Sequence, residues 1–101
     1  MTNVTNVNLE EQLQILPEQV AGALEKWRVA TLDREKCEAL LYATIKGTWT
    51  EASAAEIKSA INRDQGRYNA VLAEIKAESN YNLLYEKLLS AKKLASLRTA
   101  F

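Results

Sequence analysis

Four basic side chains near the C-terminus, Lys87, Lys92, Lys93 and Arg98, stand in a stretch that holds no acid. Tyr81, Tyr85 and Phe101 are interleaved with them. Positive charge that follows phosphates, together with flat π-faces on which bases stack, is what single-stranded nucleic acid binding requires. The competing reading is local, because helices often end in Lys and Arg to complement the backbone dipole. Lys46, Lys58, Arg63 and Arg67 form a second basic group in the middle of the chain.

The remaining reactive side chains offer little for catalysis. Glu10/Glu11 and Glu35/Glu38 are paired carboxylates, but no glycine-rich turn stands beside them to shape a pocket. They read as solvated helix surface. Cys37 falls inside a helical stretch, and the chain has no histidine to activate it. It reads as a packing cysteine. Without histidine there is no Ser-His or Cys-His pair and no imidazole metal ligand. No phosphate-binding glycine loop and no C-x-x-C is present. The sequence therefore predicts a protein that is not an enzyme, needs no cofactor and holds no metal.

Those side chains must be positioned by helices. The 101 residues suffice for one domain, and they include only three glycines and one proline. Apolar residues make up 48%, much of it alanine and leucine, while aromatics are 7%. That is the composition of a helix former. Acids and bases number 13 each, yet they are unevenly spread. Seven acids face four bases within residues 1–38, whereas residues 87–101 carry four bases alone. No run of apolar residues is long enough to span a membrane, and the first 16 residues lack the basic start of a signal peptide. A single cysteine suits a reducing compartment. The expected location is the cytoplasm.

Residues 1–8 are polar and read as a loosely attached arm. Asn8 and Glu11 have capping-box spacing ahead of a short helix, so residues 1–16 are expected to be an arm with a short helix and 17–101 a helical hairpin. Pro17 reads as the first position of a long helix. Val20, Leu24, Trp27, Leu41 and Ile45 continue it at steps of three and four, and Gly47 is its expected stop. The stripe weakens at Thr31, Arg34 and Glu38, where a rotated stripe through Leu32, Cys37 and Leu40 would take over. Trp49, in the connecting loop, reads first as a lid folded over the hairpin end and second as an exposed anchor.

Ser53 and Glu56 form an S-x-x-E box that starts a second helix. Asn62-Arg63-Asp64-Gln65-Gly66 is its weak point, with a kink or short turn expected there. From Arg67 to Arg98 nothing breaks the helical period. Apolar residues lie there on more than one seam, with Leu84/Leu88 and Tyr85/Leu89 side by side. The prediction is an all-α fold: a long antiparallel, coiled-coil-like helical hairpin with a kinked second helix. The extra apolar width makes it oligomerise, with Tyr81, Leu84, Tyr85, Leu88 and Leu89 at the interface.

The order of features resembles the phage recombination mediators of the UvsY type, over about residues 25–101. The likeness lies in Leu41-Tyr42-Ala43-Thr44-Ile45-Lys46-Gly47, in Glu56-Ile57-Lys58 followed by Asn62-Arg63-Asp64, in the Tyr81–Leu89 segment, and in Leu97-Arg98-Thr99-Ala100-Phe101. One departure is that Ala39 and Leu41 stand near positions where the family carries bases ahead of the glycine turn. The resemblance implies a small helical homo-oligomer that binds single-stranded DNA. It further implies partners, a recombinase and the single-strand-binding protein it displaces. The alternative is a helical protein-interaction module, or a phage inhibitor of a host complex, with no nucleic acid.

Overall fold

The computed structural model describes the backbone of residues 2–99 and the side chains of residues 9–98. Three helices follow one another: α1 (Thr2–Thr48), α2 (Ala54–Asn62) and α3 (Gln65–Thr99). The fold is all-α, with α1 packed along α3 as a helical hairpin. No described residue is in a strand, as expected from the lack of period-two alternation.

The start of α1 differs from the sequence expectation. The helix begins at Thr2 and passes through Asn8 and Pro17, so neither residue starts it. Pro17 removes one ladder donor and crowds the carbonyl of Leu13. What outweighs that penalty is tertiary: Leu9 and Leu16, both buried, and the partly buried Leu13 and Val20 lie on either side of it in one apolar cluster. A helix with so much to bury on one stripe tolerates an unfavourable residue on its exposed side. Gly47 likewise does not stop the helix. It keeps a helical backbone, and α1 ends one residue later, where Trp49 N–H donates to the Ile45 carbonyl at 2.7 Å.

The start of α2 follows the sequence closely. The Ser53 hydroxyl accepts from Glu56 N–H at 3.2 Å, and the Glu56 carboxylate accepts from Ser53 N–H at 3.1 Å. Two otherwise unpaired donors are satisfied reciprocally. Ile57 and the loop residue Ala52 are buried. Trp49, in the loop before α2, is 44% exposed and so covered over part of its surface.

The expected break falls at Arg63 and Asp64. Asp64 caps α3, its carboxylate accepting from Arg67 N–H at 3.0 Å. A Cβ placed on Gly66 would meet that same carboxylate oxygen at 3.0 Å. Glycine at this position leaves room for the cap, which explains why a poor helix former sits in the first turn.

The chain forms two compact units, one of Met1–Lys26 with Ala77–Phe101 and the other Trp27–Lys76. The first is held by Leu9, Leu16, Leu88 and Ala91, with Leu13, Val20 and Leu84 packed against them. On α1 these residues advance by alternating steps of four and three, a heptad stripe. On α3 the stripe of Tyr81, Leu84, Leu88, Ala91 and Ala95 has the same spacing.

Because Pro17 lies inside a continuous helix, Pro17→Ala is expected to stabilise the protein by about 1–3 kcal/mol. The check is the thermal unfolding midpoint followed by circular dichroism. An unchanged or lowered midpoint would mean that Pro17 stands at a helix start after all.

Candidate nucleic-acid interface

The eight basic residues singled out in the sequence divide between the two units, four in each. In Trp27–Lys76, Lys46 is exposed in the last turn of α1 and Lys58 is exposed on α2. Arg63 is exposed just after α2, its backbone N–H closing the helix on the Ser59 and Ala60 carbonyls at 3.2 and 3.3 Å. Arg67 is half-buried, and its Nε donates to Glu38 Oε2 at 3.4 Å. It is engaged within the fold and less available to a phosphate than the other three.

In the unit of Met1–Lys26 with Ala77–Phe101, Lys87, Lys92, Lys93 and Arg98 are all exposed, while the side chain of Phe101 lies outside the described residues. Tyr85 is exposed and stacks on the half-buried Tyr81, with ring centroids 5.8 Å apart and planes 23° from parallel. Spacing places Tyr85, Leu89 and Lys92 on one flank of α3, with Lys93 beside them. Lys87 stands on the opposite flank, in a groove with Glu11 of α1. One side of the helix therefore carries an exposed aromatic face with two exposed cations, and the other a cation with an acid nearby.

The five residues expected at an oligomer interface separate as well. Leu88 is buried, and Leu84 packs against it in the α1–α3 seam. Tyr81 is half-buried. Only Tyr85 and Leu89 stand exposed. The seam with α1 uses the other three, so a second copy would have to meet different apolar side chains.

The centre of the Trp27–Lys76 unit holds a feature the sequence reading missed. The rotated stripe through Leu32, Cys37 and Leu40 does not form, since Leu32 and Leu40 are exposed, Leu40 by 69%. The original stripe continues through Thr31, Arg34 and Glu38, which are half-buried. Arg34 Nε donates to Glu74 Oε1 at 2.7 Å, and Arg34 Nη1 donates to Glu38 Oε1. With Arg67 these make a four-residue ionic layer whose side chains are only 18–28% exposed. Glu38 is thus a seam residue and not the solvated carboxylate expected. The signal was present as charged residues of opposite sign at stripe positions of both long helices.

Hydrogen bonding from Arg34, and secondarily from the Thr31 hydroxyl, holds the Glu74 carboxyl below the usual glutamate range. The Thr31 proton has two acceptors to serve, Glu74 and the Trp27 carbonyl at 3.0 Å. Bonds to Glu74 and then Glu38 push the Arg34 guanidinium above its ordinary value. No helix among the described residues is long and apolar enough to cross a membrane. Compared with known protein families, with curated proteins and with solved structures, the chain matches none.

A carboxylate whose folded pKa is depressed stabilises the fold above the unfolded value, near 4.3. That contribution disappears as pH falls through the lower folded value. For Arg34, raised above an already high value, the corresponding loss lies at strongly alkaline pH. Stability should therefore drop below about pH 4.3, and Glu74→Gln should flatten that part of the profile while costing about 1.5–3 kcal/mol at neutral pH. Denaturant titrations at several pH values check this. An unchanged acid profile in the variant would show that Glu74 is not held by Arg34 in solution.

Proposed function

We propose that the chain is an oligomeric single-stranded DNA-binding accessory protein of recombination, which helps load a recombinase onto covered strands. The observation that carries this reading is the α3 flank on which exposed Tyr85, stacked on Tyr81, precedes exposed Lys92 and Lys93. From Tyr85 to Lys92 is about 10 Å along a helix, a distance that suits a stacked base and the phosphates next to it. Lys46, Lys58 and Arg63 offer further exposed cations. The resemblance to UvsY-type mediators supports the recombination context and the two protein partners, a recombinase and a single-strand-binding protein.

The second reading is a protein-interaction module, or an inhibitor of a host complex, without nucleic acid. What favours it is the charge around the basic end of α3. The same unit holds exposed Glu10, Glu11, Glu18 and Glu25 on α1 and Glu78 and Glu86 on α3. Its net field is mixed, and a mixed field draws a long polyanion less strongly than a basic one.

Fluorescence anisotropy with a labelled single-stranded oligonucleotide separates the two. If about four phosphates are neutralised per protomer, the slope of log K against log salt is roughly −3 per protomer. Lys92→Glu with Lys93→Glu should abolish binding and leave the oligomeric state unchanged. Tyr85→Ala should cost about 1–3 kcal/mol of binding. Absence of binding at low salt, or a flat salt response, would leave the interaction module as the reading. Charge reversal is the informative change here, since Leu84→Lys or Leu88→Lys would disrupt the seam itself.

A further inference from the structure

Among the described residues, seven apolar side chains are buried and three of those are alanines, whereas fourteen large apolar side chains stand exposed.

In the unit of Met1–Lys26 with Ala77–Phe101, the imbalance is concentrated on α3, whose apolar residues lie on every side. Leu84, Leu88 and Ala91 face α1, Tyr85 and Leu89 lie on one flank, and Leu83, Leu94 and Leu97 lie on the other. That second flank carries a shallow groove made of two adjoining hollows that share Gln12 and Lys87, with Ile15 on the wall of one and Leu83 and Leu94 on the walls of the other, each about half exposed. Lys87 stands where the hollows meet, with Glu11 lining the first and Glu86 the second.

We infer that this groove is a homotypic interface, occupied by the same groove of a second copy of this chain. Three features choose that occupant. A two-fold contact places one patch against itself, so it needs both signs of charge, and Lys87 beside Glu86 and Glu11 supplies them. Two hairpins packed groove to groove form a four-helix bundle, which encloses the exposed side of α3 that one hairpin leaves open. The acids beside Lys87 disfavour a polyanion here. This inference deepens the proposed function, which calls for an oligomer, by naming the face through which copies meet.

Sedimentation velocity of the full chain without DNA, over a wide range of protein concentration, is the test. The expected result is a species of at least twice the 11.3 kDa chain mass. Leu83→Lys with Leu94→Lys should shift it to the monomer with the helical circular dichroism retained, as both side chains are exposed. Tyr85→Lys with Leu89→Lys, on the other flank, should leave the assembly intact. A single 11.3 kDa species at every concentration, or an assembly that survives the Leu83/Leu94 change, overturns the inference. Should both pairs dissociate it, crosslinking decides. In a Cys37→Ala background, Ser90→Cys in the groove should join two chains through a short bis-maleimide, whereas Asn82→Cys on the opposite flank should not. The reverse pattern refutes the groove. A monomer that still binds oligonucleotide sinks this inference and the oligomeric part of the proposed function but leaves DNA binding standing, and an assembly that ignores oligonucleotide sinks only the DNA reading.

Discussion

Two helices lying side by side share a single strip of contact, and that geometric limit governs the rest of this structure. A heptad stripe places two residues in every seven against the neighbour. The remaining positions must be polar, or must be covered by something else. Leu9, Leu16, Leu88 and Ala91 fill the strip in one unit, and even these retain a few per cent of their surface. The chain nonetheless carries large apolar side chains well beyond the strip, with Leu83, Tyr85 and Leu89 flanking the very turns that supply Leu84 and Leu88. A sequence built only for a lone hairpin gains nothing from them, since exposed leucine adds neither solubility nor packing.

Part of the same strip is given to charge. Arg34, Glu38, Arg67 and Glu74 occupy stripe positions where leucine would bind more strongly for its area. Withdrawing charges from water is costly, and attraction across a partly exposed contact offsets only some of that cost. The layer contributes alignment. Arg34 meets Glu74 and Glu38 together, and Glu38 also meets Arg67. Sliding one helix by a turn against the other would leave several of these groups desolvated and unpaired. Leucine and alanine alone discriminate poorly between registers one heptad apart. A polar layer in the stripe is the attested means of selecting one of them.

The sequence was most legible where the signal was local. The Ser53–Glu56 box and the break at Arg63–Asp64 depend on neighbouring residues, and both lie where the pattern placed them. It was least legible where tertiary packing overrides local preference. Pro17 and Gly47 are helix punctuation by every local criterion, yet α1 passes through Pro17, whose neighbours on either side are drawn into the contact with α3, and stops one residue beyond Gly47. Thr31, Arg34 and Glu38 look like a fault in an apolar stripe until Glu74 and Arg67, dozens of residues later, supply the partners. For the candidate site, spacing correctly placed Tyr85 and Leu89 apart from Leu84 and Leu88. Which of the two pairs α1 would cover could not be read from one helix alone.

The charges sort the two flanks of α3 into different tasks. On the groove side Lys87 is accompanied by Glu11 and Glu86, so its field is largely cancelled at any distance beyond the immediate contact. Such a surface favours a partner that brings both signs, and the same surface on another copy does so. On the opposite side Lys92 and Lys93 follow Tyr85 with no acid between residues 87 and 98. Two adjacent cations beside a flat ring suit a partner that brings negative charge and a π-face together. Association through the first flank would leave the second open and repeat it in each copy. Linking weak sites in this way raises overall affinity without adding any new contact to the individual site. Under the proposed reading, a modest pair of lysines repeated in each copy would suffice for a long strand, in keeping with a chain of zero net charge.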